Sequence, residues 1–152
     1  MDPKSIKRIL VPTDFSEPST EAQATALSFA RAFGATIDVV HVAVEATYAL
    51  PPPVDVATVP LDMSRVLEQV GRSLSDEEAR VRAAGIPCES NLLVGRPDTE
   101  IVAHAEKTHA DLIVMGTHGR SGIGHALLGS VAERVVQHAR CPVLIVPRPR
   151  TH

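Results

Sequence analysis

Short, continuous apolar runs alternate along this chain with longer stretches in which apolar residues recur every three or four positions. That is the pattern of parallel strands buried on both faces and separated by covering helices. The runs KRILVP (7–12), TIDVVHVAV (36–44), CESNLLVG (88–95), ADLIVMG (110–116) and PVLIVP (142–147) read as five strands. Between the first two, SEPSTEAQATALSFARAFG carries both ends of a helix: Ser16 as N-cap, Pro18 in the tolerated first turn, and Gly34 as a left-handed stop. DMSRVLEQVGRSLSDEEARVRAAG predicts a second helix, with Val66, Val70, Leu74 and Val81 on one stripe and Gly85 closing it. A third begins in RPDTEIVAHAEKTHA and a fourth in GSVAERVVQHAR. Four strand-helix steps and a closing strand predict one doubly wound α/β domain over residues 1–152, a five-stranded parallel sheet with helices on both faces.

One stretch fits no element. The proline-rich insertion at 47–62, within EATYALPPPVDVATVPLD, removes backbone donors and forbids regular structure. Its length suits either a functional flap or a plain surface insertion. No internal repeat and no domain boundary are visible.

Composition narrows the function classes. A chain of 152 residues that is 44% hydrophobic and 22% charged can bury a real core, and its net charge of −3 comes from mixed acids and bases without the basic patch of a general nucleic-acid binder. The two cysteines, Cys88 and Cys141, stand far apart with no CxxC pair, and MDPKSIKRILVP lacks the apolar stretch of a secretory signal. A cytoplasmic protein with reduced thiols is expected. No apolar run approaches the ~20 residues that span a bilayer.

Candidate chemistry gathers in two places. In open α/β sheets ligands bind beyond the carboxyl ends of the strands, at the switch point where connections leave to opposite faces. PTDFS follows the first strand, and VMGTHGRSGIGHALLGSV (114–131), with five glycines, follows the fourth. If both serve one ligand, those strands are neighbours and the order is 3-2-1-4-5. Glycines there let backbone N–H groups approach an anion, and the helix beginning at Gly129-Ser130 adds its positive end. The amides of Ser130 and Val131 and the Ser130 hydroxyl could donate to phosphate, with Gly116 and Gly119 lining the nearer wall. Any one of these glycines could equally shape a tight loop, and Ser130 could simply cap a helix. The stretch contains neither G-x-x-x-x-G-K-[ST] nor, at the first strand-helix turn, G-x-G-x-x-G.

Gly116, two residues, Gly119, nine residues and Gly129-Ser130 reproduce the G-2x-G-9x-G-[S/T] motif of the universal stress protein family. RILVPTDFSEPS, VVHV and HARCPVLIVP also resemble that family's first strand and turn, second strand, and closing helix and strand, so the likeness covers nearly the whole chain. It implies the nucleotide-binding branch, whose members bind ATP or AMP as homodimers and act in stress adaptation. It further implies Pro12, Thr13 and Asp14 around the adenosine, the Val42 backbone at the adenine, and Met115 and Gly116 under the ribose. Gly119, Gly129, Ser130 and Val131 would take the phosphates. Asp14, at a strand end, could accept from ribose or adenine donors or help hold Mg²⁺ bound through the phosphates, or could form only an Asx turn. Arg120 could neutralise phosphate.

His118 and His125 in the glycine stretch, and His104 and His109 near the third helix, lack the spacing and companions of a zinc site. Cys141 reads as a small apolar residue rather than a nucleophile. The leading reading is an ATP-binding homodimeric switch; the alternatives are a slow ATP-hydrolysing or phosphate-transferring enzyme, and a dimeric adaptor that needs no nucleotide. The order places PVLIVP at a sheet edge, so Val143, Leu144, Ile145 and Val146 are the expected dimer interface. A proline at Val146 would be expected to remove one edge donor.

Overall fold

The side chains of Ile9, Leu10 and Val11 are fully buried, which a strand achieves only when both faces of its sheet are covered. The computed structural model describes residues 6–44, 63–117 and 128–149. The elements in chain order are β1 (Arg8–Pro12), α1 (Glu17–Phe33), β2 (Thr36–Ala43), α2 (Met63–Ala83), β3 (Cys88–Val94), α3 (Pro97–Thr108), β4 (Leu112–Gly116), α4 (Ser130–His138) and β5 (Val143–Val146). All strand pairs are parallel and the order is β3-β2-β1-β4-β5, as the switch-point argument requires. The insertion at 47–62 lies outside the described residues.

Alternation divides the core in two. Ile9, Val11, Ile37, Val39, Leu112 and Val114 pack against α1 and α2, while Leu10, Val40, Ile113 and Met115 pack against α3 and α4. On α1 the buried stripe is Ala22, Ala26 and Ala30, small side chains that let the helix lie close to the sheet. Gly34 ends α1 at φ 67°, and Gly85 at φ 84° follows α2. Ser16 occupies the N-cap of α1 without a side-chain cap bond.

The stripe expected on α2 is only partly buried. Leu74 and Val81 are buried and Val70 packs against them, but Val66 is 43% exposed. Each step of four residues advances about 40° around a helix, so Val66 sits roughly 80° from Leu74 and leaves the buried face.

The edge at β5 also needs a correction. Pro142 O accepts from Ile113 N–H and Val146 O accepts from Thr117 N–H, so the even-numbered residues of β5 turn their backbone groups to β4. Alternation turns those of Val143 and Ile145 to the open edge. A proline at Val146 would therefore cut the β4–β5 ladder, and the edge donor to remove is that of Ile145. The four side chains of β5 are half-buried. Among the described residues no helix is long and apolar enough to cross a membrane.

A carboxylate lies within the core. Asp38, on β2, is 1% exposed, yet its carboxylate accepts from Asn91 Nδ2 at 2.9 Å and from His104 Nε2 at 2.8 Å, with Arg8 at 3.7 Å. His104 thereby fixes α3 to the sheet from the helix interior. Leaving a buried charged acceptor short of a donor costs about 2 kcal/mol or more. His104→Leu should lower stability by about that amount in urea unfolding, and its melting temperature by roughly 4–8 °C. A loss below about 0.5 kcal/mol would show that the bond contributes nothing net.

Candidate functional site

Because every strand is parallel, all five end at one rim, and the connections from β1 and β4 leave that rim to opposite faces. Between them opens a cavity of about 640 Å³. Pro12, Thr13 and Asp14 enter it from the end of β1, Val42 from β2, Met115 and Gly116 from β4, and Gly129, Ser130 and Val131 from the start of α4. Two separated sequence clusters are thus brought to one place. Gly119 and Arg120, like His118 and His125, lie outside the described residues.

The cavity also holds residues that sequence reasoning passed over. Val40, Val44, Pro97 and Ile101 extend the apolar wall around Val42, and Ser19, His41 and Thr117 add polar groups. Val40 and Ile101 were legible only as core positions, because nothing in a periodic pattern says which core residue ends at a rim. His41 stood in VVHV as the one polar residue of an apolar run, which was a usable signal.

The two ends differ in chemistry. Around β2 and α3 the wall is aliphatic and suits a flat apolar group. At α4 the N-cap is Gly129, extended at φ −64° and ψ 156°, with no side-chain cap. The first helical bond runs from Glu133 N–H to Gly129 O at 2.9 Å, so the amides of Ser130, Val131 and Ala132 precede the internal ladder. Those amides and the helix dipole suit an anion. Gly129 N–H donates to Thr117 O at 2.7 Å, which anchors this helix start to the end of β4.

Gly116 has a separate reason to be glycine. A Cβ built there would lie 2.9 Å from the backbone carbonyl carbon and oxygen of Pro18, so the missing side chain lets α1 seat on β4. Pro18 is itself buried at that contact.

The β1–α1 turn is strained. Phe15 has φ 64°, a left-handed conformation that costs a bulky residue about 1–2 kcal/mol. Phe15 N–H donates to Thr13 Oγ1 at 3.0 Å and Ser16 N–H donates to Asp14 Oδ1 at 3.0 Å. Asp14 thus closes an Asx turn and also lines the cavity.

The model of the universal stress protein family matches residues 5–147. The chain belongs to that family. The universal stress protein MJ0531 of Methanocaldococcus jannaschii is 39% identical over 146 residues, covering 95% of this chain and 84% of the relative. The solved structure of MJ0577, from the same organism, superposes with a TM-score of 0.82 at 29% identity over 96% of this chain and 99% of that one. A universal stress protein from Archaeoglobus fulgidus, solved in complex with dAMP, superposes with a TM-score of 0.63 at 28% identity, covering 91% of this chain and 96% of that one.

Neither cysteine of this family member is built for nucleophilic work. Burial pushes the Cys88 thiol up to about 12 and raises that of Cys141, and both are free thiols. Among the described residues no three His, Cys, Asp or Glu side chains gather to hold a metal ion.

Behind the cavity lies a buried carboxyl. Glu77 on α2 is 5% exposed; Thr13 Oγ1 lies 3.4 Å from its Oε1 and Gln23 Nε2 donates to its Oε2 at 3.3 Å. Desolvation raises its pKa above the usual carboxylate range, against the pull of Arg80 and the two hydrogen bonds, and Asp14 adds to the rise. A carboxyl raised on folding contributes most below its unfolded value, and that contribution is lost as pH climbs through the folded one. Glu77→Gln, which keeps an acceptor for Thr13, should therefore gain stability relative to the parent as pH rises through the carboxylate range, and hold that advantage at neutral pH. Denaturant titrations of both proteins between pH 4 and pH 8 would check this; a stability difference that stays flat or shrinks with pH contradicts the assignment.

Proposed function

We propose that this universal stress protein binds an adenine nucleotide in the cavity, ATP first and AMP or ADP as alternative occupants, and that occupancy switches a homodimer joined through β5. The observation that carries the reading is the pairing, within one cavity, of an aliphatic wall around Val42 and Ile101 with the uncapped start of α4. An adenine ring suits the first and phosphate the second. The dAMP held by the relative from A. fulgidus supports the same ligand class.

In this reading the Val42 backbone meets the adenine, Pro12, Thr13 and Asp14 surround the adenosine, and Met115 and Gly116 lie under the ribose. Gly129, Ser130 and Val131 hold phosphate, with Gly119 and Arg120 assigned to it from the sequence alone. The donor set fits Mg²⁺ carried by the phosphates, since Asp14 is a carboxylate lining the cavity. Such an ion would supply charge neutralisation when bound. The role is binding rather than rapid turnover: Asp14 is the one acidic side chain among the described residues lining the cavity, whereas hydrolysis asks for a water-orienting group and a cationic clamp besides the group that holds the ion.

Denaturing freshly purified protein and analysing the released small molecules should yield ATP, ADP or AMP. Ligand at a hundred times its dissociation constant should stabilise the fold by about 2.7 kcal/mol, a melting shift of roughly 5–11 °C. Gly129→Val should abolish that shift while leaving the chain folded, because a branched side chain blocks the approach to the α4 amides. No shift with millimolar Mg-ATP in the parent, together with no co-purified nucleotide, would favour a nucleotide-independent adaptor.

Assembly through β5 rests on its open edge, where Val143 and Ile145 present backbone donors and acceptors. Antiparallel pairing with a second copy about a two-fold axis would satisfy them. Sedimentation at micromolar concentration should show a dimer for the parent and a folded monomer for Ile145→Pro. A monomeric parent, or an Ile145→Pro dimer of unchanged strength, counts against this interface.

A further inference from the structure

The geometry points to His41 as a positioning residue: its ring pins the strained Thr13–Ser16 turn and so fixes Asp14 at the cavity. The inference rests on the adenine-nucleotide reading for its functional meaning, but the pin itself is a property of the chain.

His41 Nδ1 lies 2.8 Å from the carbonyl oxygen of Thr13. A carbonyl only accepts, so Nδ1 carries the hydrogen and donates it. The ring also stacks on Phe15, with centroids 4.9 Å apart and planes 28° from parallel. Both contacts go to the same turn, and one of them lands on the residue with φ 64°. The turn's own bonds, Phe15 N–H to Thr13 Oγ1 and Ser16 N–H to Asp14 Oδ1, close it locally, and the Ser19 hydroxyl meets Thr13 Oγ1 at 3.2 Å and Ser16 O at 2.8 Å. Thr13 N–H is held by Val40 O at 2.8 Å. None of these bonds reaches the oxygen of the Thr13–Asp14 peptide, which His41 holds.

Strain of this kind persists only where surrounding contacts over-determine it. With the His41 bond removed, the turn can relax, and Asp14 leaves the arrangement in which it lines the cavity. Ligand would then have to restore the strained form before binding, which scales its affinity constant by the fraction of chains that keep that form: with about one chain in ten left in it, binding weakens about tenfold. Aliphatic residues or phenylalanine would suit the apolar strand better at position 41, yet none of them has a donor for this bond.

Two variants separate the contacts. His41→Phe keeps a ring against Phe15 and removes the donor; His41→Asn places an amide N–H near the position of Nδ1 and removes the ring. Amide hydrogen exchange is measured on the ligand-free protein, and ATP affinity by calorimetry, both well below the melting transition. In His41→Phe the Phe15 and Ser16 amides should exchange faster while those of Val11 and Val39 in the core stay protected. ATP binding should weaken on the order of tenfold, about 1.4 kcal/mol. His41→Asn should recover most of both losses.

Unchanged turn amides in His41→Phe overturn the pin, as does a loss of protection shared equally with the core amides, which would mark general destabilisation. Unchanged ATP affinity despite freed turn amides overturns the functional half. If His41→Phe does not fold, His41→Asn decides alone: protection and affinity near the parent's support the carbonyl bond, and loss of both overturns it. A parent chain that binds no adenine nucleotide defeats the ligand reading instead, and the exchange measurement still decides the pin.

Discussion

Parallel pairing is the constraint on which the rest depends. A parallel neighbour can be reached only by a crossover, so each strand must hand the chain to a helix before the next strand begins. The described strands then end at one rim, and the described helices begin there with their unpaired N–H groups and positive ends. The order β3-β2-β1-β4-β5 adds a change of direction between β1 and β4, so the helices after those strands lie on opposite faces and leave a gap. The cavity is that gap. No side chain creates it; side chains only decide what it can hold.

Full burial of the central strands follows from the same constraint, and it explains how the chain tolerates Asp38. A carboxylate inside a parallel sheet is costly unless its oxygens are met by donors. Asn91 comes from the neighbouring strand and His104 from the covering helix, so sheet and helix are joined at a point where apolar packing alone would leave them free to slide. Ile101, one turn before His104 on α3, forms part of the cavity wall. The polar pair therefore holds, within the core, the helix that supplies part of that wall.

Much of this was legible in the sequence because apolar runs and helix ends are local signals. The five strands, the four helices, Gly34 and Gly85 as stops, and the strand order all follow from residues read within windows of a few turns, joined by a single topological argument. What escaped depends on relations that a pattern does not carry. Val66 matched the helical spacing and lies outside the buried face, because a repeat of four drifts around the helix. Asp38 and His104 are 66 residues apart and announce nothing to each other in the sequence. Val146 looked like an edge residue until the direction of its carbonyl was known. The cavity residues near PTDFS and Gly129 were legible by motif, whereas Ser19, Ile101 and Thr117 reach the cavity only through the fold.

The glycine motif combines two demands that have different physical origins. Gly116 is bare because α1 seats its Pro18 backbone there, a matter of packing. Gly129 is bare at a helix start whose amides precede the internal ladder, a matter of access. Thr117 joins the two: its N–H donates to Val146 O on β5, and its carbonyl accepts from Gly129 N–H. The start of α4 is therefore anchored to the end of the sheet. One residue thus bonds at once to the edge strand proposed as the dimer interface and to the proposed phosphate cradle.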